Sequence, residues 1–144
     1  MFYGDFDHTI DGKGRLILPS KIRDTLDKHS ITSLMITRGL DQCLFLFPPS
    51  EWHTIEGRLR ERAFTKAVVR SFTRTFFANA AECMPDSHGR ILIPQKLRDY
   101  AGLEKEVTVA GVQNRIEVWA RDKWIKVLTK SQANYEEVAE QVWD

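Results

Sequence analysis

A nine-residue stretch, DGKGRLILP at positions 11–19, occurs a second time in slightly altered form as DSHGRILIP at positions 86–94. Both copies read Asp-x-x-Gly-Arg, followed by three aliphatic residues and a proline. The match continues beyond the proline at three more pairs of positions: Lys21 and Lys96, Arg23 and Arg98, and Asp24 and Asp99. The chain therefore contains an internal repeat, and any prediction of its fold has to account for two similar halves.

Each copy of the stretch predicts a hairpin loop that carries cations. An Asp side chain accepts hydrogen bonds from backbone amides a few residues further on, and Gly adopts positive φ without steric cost. We therefore expect Asp11 and Gly14, and likewise Asp86 and Gly89, to order their loops. A short loop between two β-prone runs is typical of a hairpin. The cations at or beside the loop tips are Lys13, Arg15, His88 and Arg90.

The residues on both sides of these loops predict strands and short helices. Residues 5–10 alternate between apolar and polar side chains, which is typical of a strand. The aliphatic residues after each arginine predict a strand buried on both faces or at the centre of a sheet. The following proline ends that strand because it has no amide hydrogen for a ladder. Short helices are expected at 20–26 and 95–101, and Gly102 is expected to end the second.

The second part of each repeat predicts another hairpin and then a helix. Strands are expected at residues 34–37, 43–47, 106–110 and 115–119. Ser50 and Asp122 are the candidate N-caps of the helices that follow. Helical spacing after the first cap is shown by Trp52, Ile55, Leu59 and Ala63. We expect Trp52, and the corresponding Trp124, to pack each helix onto its own repeat.

The most basic segment of the chain is 58–74, in which six Lys and Arg residues accompany one acid, Glu61. This pattern is typical of a solvated helix face, and the alternative is a phosphate contact or a subunit interface. Core or interface positions are expected for Phe64, Phe72, Phe76 and Phe77. The acidic stretch 136–140 predicts a terminal helix that frays or packs on a neighbouring subunit.

Length and composition indicate one compact unit of 144 residues. We expect two halves, residues 1–74 and 75–144, whose strands pair with each other and close a shared barrel, because about fifty residues bury too little surface to be stable alone. The net charge of +1 does not indicate a nucleic-acid partner, so only a local patch of cations could bind one. A signal peptide and a membrane span are both missing from the sequence, which predicts a cytoplasmic protein.

The residues give little support for catalysis. The sequence shows no nucleophile–base pair and no glycine-rich phosphate loop, and the four histidines stand at spacings that do not suit a metal. Cys43 and Cys83 also lack metal or redox spacing and are expected to be buried thiols. We therefore predict no enzyme activity, no catalytic residue, no metal, no cofactor and no small-molecule substrate.

The paired Asp-x-x-x-Arg motifs resemble the SpoVT-AbrB swapped-hairpin domain, and the tandem arrangement resembles the MraZ family. The likeness includes Gly4-Asp5, TRGLD at 37–41 and LEKEV at 103–107, and it extends from Met1 to about Leu128. It implies an α+β fold, mainly β with short helices. In that fold a pseudo-twofold double swapped-hairpin barrel is built from the two repeats, each followed by a helix.

The resemblance also implies a function. MraZ proteins are bacterial DNA-binding transcriptional regulators that act on the promoter of the division and cell-wall gene cluster containing their own gene. They associate with the nucleoid and assemble into ring-like oligomers. For this chain the resemblance implies double-stranded DNA with direct repeats as the partner, a homo-oligomer, and no membrane. The Asp and Arg of the family fall on Asp11, Arg15, Asp86 and Arg90.

The candidate DNA-binding residues are Lys13, Arg15, His88 and Arg90. Arginine can bind guanine bidentately or can position a protein on phosphate, and a structural salt bridge with the loop Asp is the third alternative. A second set of cations either flanks the DNA-binding surface or forms solvated salt bridges: Lys21, Arg23, Lys96 and Arg98. A protein-interaction scaffold that does not read DNA is the alternative function.

Overall fold

The computed structural model describes residues 1–143, which contain eight strands and six helices. The strands are β1 (Asp5–Thr9), β2 (Arg15–Ile17), β3 (Leu34–Arg38), β4 (Leu44–Phe47), β5 (Ala81–Cys83), β6 (Arg90–Leu92), β7 (Glu106–Gly111) and β8 (Ile116–Ala120). The helices are α1 (Ser20–Lys28), α2 (Pro49–Arg60), α3 (Ala67–Ala78), α4 (Gln95–Ala101), α5 (Arg121–Ala133) and α6 (Tyr135–Trp143).

The two repeats interlock through their strands. Six strands form one antiparallel sheet in the order β1-β7-β8-β4-β3-β5, and β2 pairs with β6 in a separate two-stranded ribbon. Four ladders join a strand of the first repeat to a strand of the second: β1–β7, β2–β6, β3–β5 and β4–β8. This arrangement confirms the predicted α+β fold built from two repeats whose strands pair with each other. The six-stranded sheet is open, with β1 and β5 at its two edges, so the ladders do not close it into the predicted barrel.

The β2–β6 ribbon covers the core with only one of its faces. Leu16 and Ile91 lie opposite each other in the ladder and are fully buried. Ile17 and Leu92 keep 44% and 59% of their surface exposed. The prediction that the aliphatic run is buried on both faces is therefore wrong for these two residues. A ribbon of two strands has a solvated face, so the side chains alternate between core and solvent.

The helices begin and end close to the predicted positions, with differences at the N-caps. Helix α4 spans the predicted residues and is followed by Gly102. Helix α2 begins at Pro49, and α5 begins at Arg121. The predicted N-caps Ser50 and Asp122 are wrong, because both residues lie inside the first turn. Proline is favoured at the first helical position, where its missing amide hydrogen costs no hydrogen bond.

A smaller apolar cluster joins α2 and α3 to the sheet. Trp52 stacks on Phe76 with ring centroids 5.5 Å apart and contacts Phe47 of β4 at 5.9 Å. The contact with Phe47 confirms that Trp52 packs its helix on its own repeat, while the stack on Phe76 also joins the helix to the second half. Trp124 contacts Trp119 of β8 at 5.7 Å, which confirms the same prediction for the second repeat. Ala63 is exposed and lies beyond the end of α2, so its predicted place on the helix is wrong. Phe64 is 76% exposed and is outside this cluster.

Both cysteines are buried, as predicted. Burial raises the pKa of the Cys43 thiol far above its ordinary value, and it raises the pKa of Cys83 to about 12. The thiols are therefore protonated at neutral pH. Among residues 1–143, no helix has both the length and the hydrophobicity needed to cross a membrane.

Candidate functional site

The two hairpin loops at residues 11–15 and 86–90, which we call the Gly-Arg loops, have nearly identical hydrogen bonds. In the first loop, Asp11 Oδ1 accepts bonds from the amides of Lys13 and Arg15, both at 2.9 Å. The amide of Gly14 donates to the Asp11 carbonyl at 3.0 Å. Asp86 accepts the corresponding three bonds in the second loop, each at 2.9 Å. Each Asp therefore connects both ends of its loop through backbone groups.

The same two carboxylates hold the arginines. Arg15 Nε donates to Asp11 Oδ2 at 2.8 Å, and Arg90 Nε donates to Asp86 Oδ2 at the same distance. Neither Nη atom of either guanidinium has an acceptor within residues 1–143. The arginine side chains are 33% and 27% exposed. The salt bridge thus uses one edge of each guanidinium and leaves the terminal nitrogens unbonded in the described part of the chain.

Hydrogen bonding shifts the pKa of both loop carboxylates downward. The amide of Arg15 is the largest cause of the lowered pKa of Asp11, and its guanidinium adds to the effect. The corresponding groups of Arg90 hold the pKa of Asp86 at about 2. Both carboxylates are consequently ionised throughout the physiological pH range, and both ion pairs persist there.

The register of the ribbon brings the two arginines onto one surface. Arg15 lies opposite Leu92, and Ile17 lies opposite Arg90. Because the residues between them point into the core, these four side chains share the outward face of the ribbon. We call this surface, formed by Arg15, Ile17, Arg90 and Leu92, the arginine face. Ile17 and Leu92 are not among the residues that the sequence predicts for the site, although strict alternation along a strand at one edge of the core would have indicated them.

The remaining two candidate DNA-binding residues lie at the tips of the loops. Lys13 and His88 are exposed, and the backbone N–H of each donates a hydrogen bond to the Asp side chain of its own loop. The structure therefore brings all four candidate cations to the two loops and the adjoining ribbon.

Two further arginines, Arg98 and Arg23, each pack against the Gly-Arg loop of the opposite repeat. Arg98 of α4 lies against Gly14, where an added Cβ would be 2.5 Å from its Cζ, and its Nε donates to the Ile93 carbonyl at 3.0 Å. Arg23 of α1 makes the equivalent contact with Gly89, where an added Cβ would lie 2.5 Å from the Cδ of Arg23. Gly14 and Gly89 both have positive φ, +83° and +77°. The glycine of each loop thus contacts an arginine from the short helix of the other repeat.

Within residues 1–143, Arg23 and Arg98 form no salt bridge, and their Nε atoms donate to backbone carbonyls instead. Both lie against the loop glycines, and Arg23 borders the same pocket as Asp86 and Ser87. That they flank the DNA-binding surface stays a prediction. Lys96 Nζ donates to the Ala78 carbonyl at 3.0 Å. The sequence repeat could not distinguish these structural arginines from Arg15 and Arg90, since duplication copies both kinds.

The described residues offer no group of three or more His, Cys, Asp or Glu side chains that could hold a metal ion. The chemistry available at the arginine face is therefore that of guanidinium hydrogen bonds, two cationic loop tips and two exposed aliphatic side chains.

Comparison with known proteins places this architecture in a family. The sequence matches the family described as "MraZ protein, putative antitoxin-like" twice, over residues 1–75 and 76–144. A protein from Carboxydothermus hydrogenoformans, named Transcriptional regulator MraZ, is 45% identical over 144 residues, which are 100% of this chain and 98% of the relative. A protein of the same name from Acetivibrio thermocellus is 48% identical over 142 residues, covering 99% and 96% of the two chains. The chain therefore belongs to the MraZ family.

Proposed function

We propose that this chain is a DNA-binding transcriptional regulator that contacts DNA with the arginine face and the two Gly-Arg loops. The observation that carries the proposal is the state of Arg15 and Arg90. Each Nε is held by a carboxylate at 2.8 Å, while the Nη atoms have no acceptor within residues 1–143. A guanidinium that is already oriented loses less side-chain entropy when it binds a ligand.

The shape of the arginine face supports this function. The major groove of B-DNA admits a two-stranded β-ribbon, and Arg can bind O6 and N7 of guanine there. Ile17 and Leu92 stand beside the arginines and offer apolar contact to the methyl group of thymine. Lys13 and His88 are exposed at the loop tips, and in this proposal they contact phosphates, which position a protein without reading sequence. Asp11 and Asp86 order the loops and stay away from the DNA.

The number of cations supports an oligomer. One chain has a net charge of +1 and presents four candidate cations on the arginine face and loops. Several chains bound to repeated DNA boxes gain affinity through effective concentration, by about 10²–10⁴-fold over a single contact. The proposed regulator is a ring-like homo-oligomer that binds direct repeats in the promoter of the division and cell-wall gene cluster, its own promoter included. It acts in the cytoplasm, on the nucleoid.

The test is a binding titration with the DNA upstream of the chain's own gene, repeated over a series of salt concentrations. Wild type is compared with Arg15→Ala and Arg90→Ala. These variants keep the loop backbone bonds, because Asp11 and Asp86 also accept from main-chain amides. Arg58→Ala, which removes an exposed arginine outside the loops, is the matched control.

The expected result is a loss of specific binding in both loop variants and none in the control. A lost phosphate contact reduces the slope of log K against log salt by about 1, whereas a lost guanine contact costs about 1–3 kcal/mol at one base position. If Arg58→Ala weakens binding and the loop variants do not, the basic segment 58–74 is the contact surface. If wild type binds no DNA, the chain is an interaction scaffold.

A further inference from the structure

The terminal helix α6 has almost no contact with the rest of the chain. Every residue from Tyr135 to Trp143 is exposed except Ala139, which is half-buried. A helix of nine residues is far below the roughly 12–15 residues at which an isolated helix becomes even marginally stable in water. This helix therefore needs a partner surface to gain stability from packing.

One side of α6 is an apolar stripe of the kind that binds in a groove. Its members recur at intervals of three and four residues and are Tyr135, Val138, Ala139, Val142 and Trp143. Tyr135, Val142 and Trp143 are 70%, 73% and 87% exposed. Glu136 and Glu140, one turn apart, lie together beside the stripe. The helix contains three Glu residues and no Lys or Arg, so a groove that binds α6 has to accept an apolar and acidic surface.

A groove of the complementary kind lies between α2 and α3. It has a volume of about 380 Å³. Its apolar lining includes Leu59, Phe64 and Phe77, and Phe64 is 76% exposed. Arg60 and Arg62 also line the groove, together with one acidic residue, Glu56. The adjoining segment 58–74 carries six cations and one acid, so cations outnumber acids around the groove, whereas α6 carries only acids.

We infer that α6 of one chain lies in the α2–α3 groove of a second copy of this chain. The contact buries the apolar stripe and Phe64, and it sets Glu136 and Glu140 against Arg60 and Arg62. An amphipathic helix lying in a hydrophobic groove is a recurring mode of peptide recognition. Because the two surfaces differ, the interface is heterologous, and repeated contacts of this kind form a ring when the rotation closes. The inference supplies the contact for the oligomer in the proposed function and rests on that oligomer.

Charge reversal with mutual rescue tests this contact in the full-length chain. The first variant carries Glu136→Lys and Glu140→Lys, and the second carries Arg60→Glu and Arg62→Glu. The mass of each in solution is measured by light scattering after gel filtration. All four positions are exposed, so the substitutions leave the core intact. The matched control is Asp24→Lys with Asp27→Lys, which makes the same change of charge on the exposed side of α1.

Each reversed variant should lose the wild-type oligomer and elute at the mass of a single chain, while the control keeps the oligomer. An equal mixture of the two variants should recover the oligomer, because the basic α6 of one then meets the acidic groove of the other. Both contacts in such an alternating assembly are complementary. Recovery in the mixture excludes misfolding as the cause of the loss.

Oligomers of unchanged size in both variants would overturn the inference, and so would a mixture that stays at the mass of a single chain. Wild type that is already a single chain, with α6 seated in its own groove, would also overturn it. The DNA-binding proposal has a separate readout, since Arg15→Ala should retain the oligomer and lose DNA. If Arg15→Ala binds DNA normally while charge reversal still breaks the oligomer, only the proposed DNA surface is wrong.

Discussion

Replacing Gly14 with alanine should destabilise the chain, because the new Cβ meets an arginine that belongs to the other repeat. The Cβ would lie 2.5 Å from Arg98 Cζ and 2.8 Å from its Nε. The residue also has φ of +83°, which costs an L-residue about 1–2 kcal/mol. If Arg98 moves away, it gives up its hydrogen bond to Ile93, a further cost of about 1 kcal/mol.

The expected loss is therefore roughly 2–3 kcal/mol in the free energy of unfolding. Gly12→Ala is the matched control, since its added Cβ has no neighbour within 4 Å and its φ is not positive. That change should stay within about 0.5 kcal/mol of wild type. Urea denaturation followed by tryptophan fluorescence measures both, at one protein concentration, because oligomerisation shifts apparent stability by mass action.

The double variant Gly14→Ala with Arg98→Ala separates the two causes. Truncating Arg98 removes the steric conflict but keeps the cost of positive φ, so the double variant should lose less stability than the sum of the single variants. For residues in contact such a difference lies in the range of about 0.5–3 kcal/mol. Equal stabilities of Gly14→Ala and Gly12→Ala would refute the steric argument. Strict additivity would show that Arg98 does not press on Gly14 in solution.

Three further predictions concern the same architecture. Ile91→Ala should lose about 2–5 kcal/mol of stability because it truncates a fully buried aliphatic residue, whereas Leu92→Ala on the arginine face should leave urea denaturation nearly unchanged and weaken DNA binding. Hydrogen bonds from Arg90 lower the pKa of Asp86 from 3.8 to about 2. Because a lowered folded-state pKa stabilises the ionised form, this contribution to stability is present above pH 4 and disappears as the pH falls toward 2. Acid titration of Asp86→Asn should lack this component, and an acid profile identical to that of wild type would contradict the prediction. The Cys83 thiol, with its pKa raised to about 12 by burial, should resist alkylation at pH 8 in the folded chain and react in urea; rapid labelling without urea would show that the site opens.

The helices and turns near the repeated stretch were predictable from the amino acids at and beside them. Helix α4 follows its proline and precedes Gly102, and both limits were predictable because proline and glycine act on the backbone of their own neighbourhood. Ser50 was predicted wrongly as an N-cap because Pro49, one position earlier, is favoured in the first helical turn. Asp122 was also predicted wrongly, since α5 begins one residue earlier, at Arg121, where no proline is present. The roles of Arg15, Arg90, Lys13 and His88 at DNA stay predictions, to be decided by the binding titration.

The arginine face required the tertiary structure. The sequence shows Arg15 and Arg90 as equivalent positions, but only the pairing of β2 with β6 brings them onto one surface beside Ile17 and Leu92. The same pairing explains why a run of three aliphatic residues has one exposed member. A two-stranded ribbon at the edge of the core buries alternate side chains, and which ones it buries depends on strands that are distant in sequence.

The sequence by itself determined that the fold is made of two copies of one unit, with an Asp–Arg loop in each, because turn residues and alternation act over a few positions. Only the tertiary structure decided how the copies combine. Every ladder between them, and the contacts of Arg98 with Gly14 and of Arg23 with Gly89, join residues far apart in the chain. Arg15 and Arg23 are the same residue type eight positions apart. One is held by an exposed carboxylate and the other is packed under a loop of the opposite repeat, and this difference arises only when the two copies interlock.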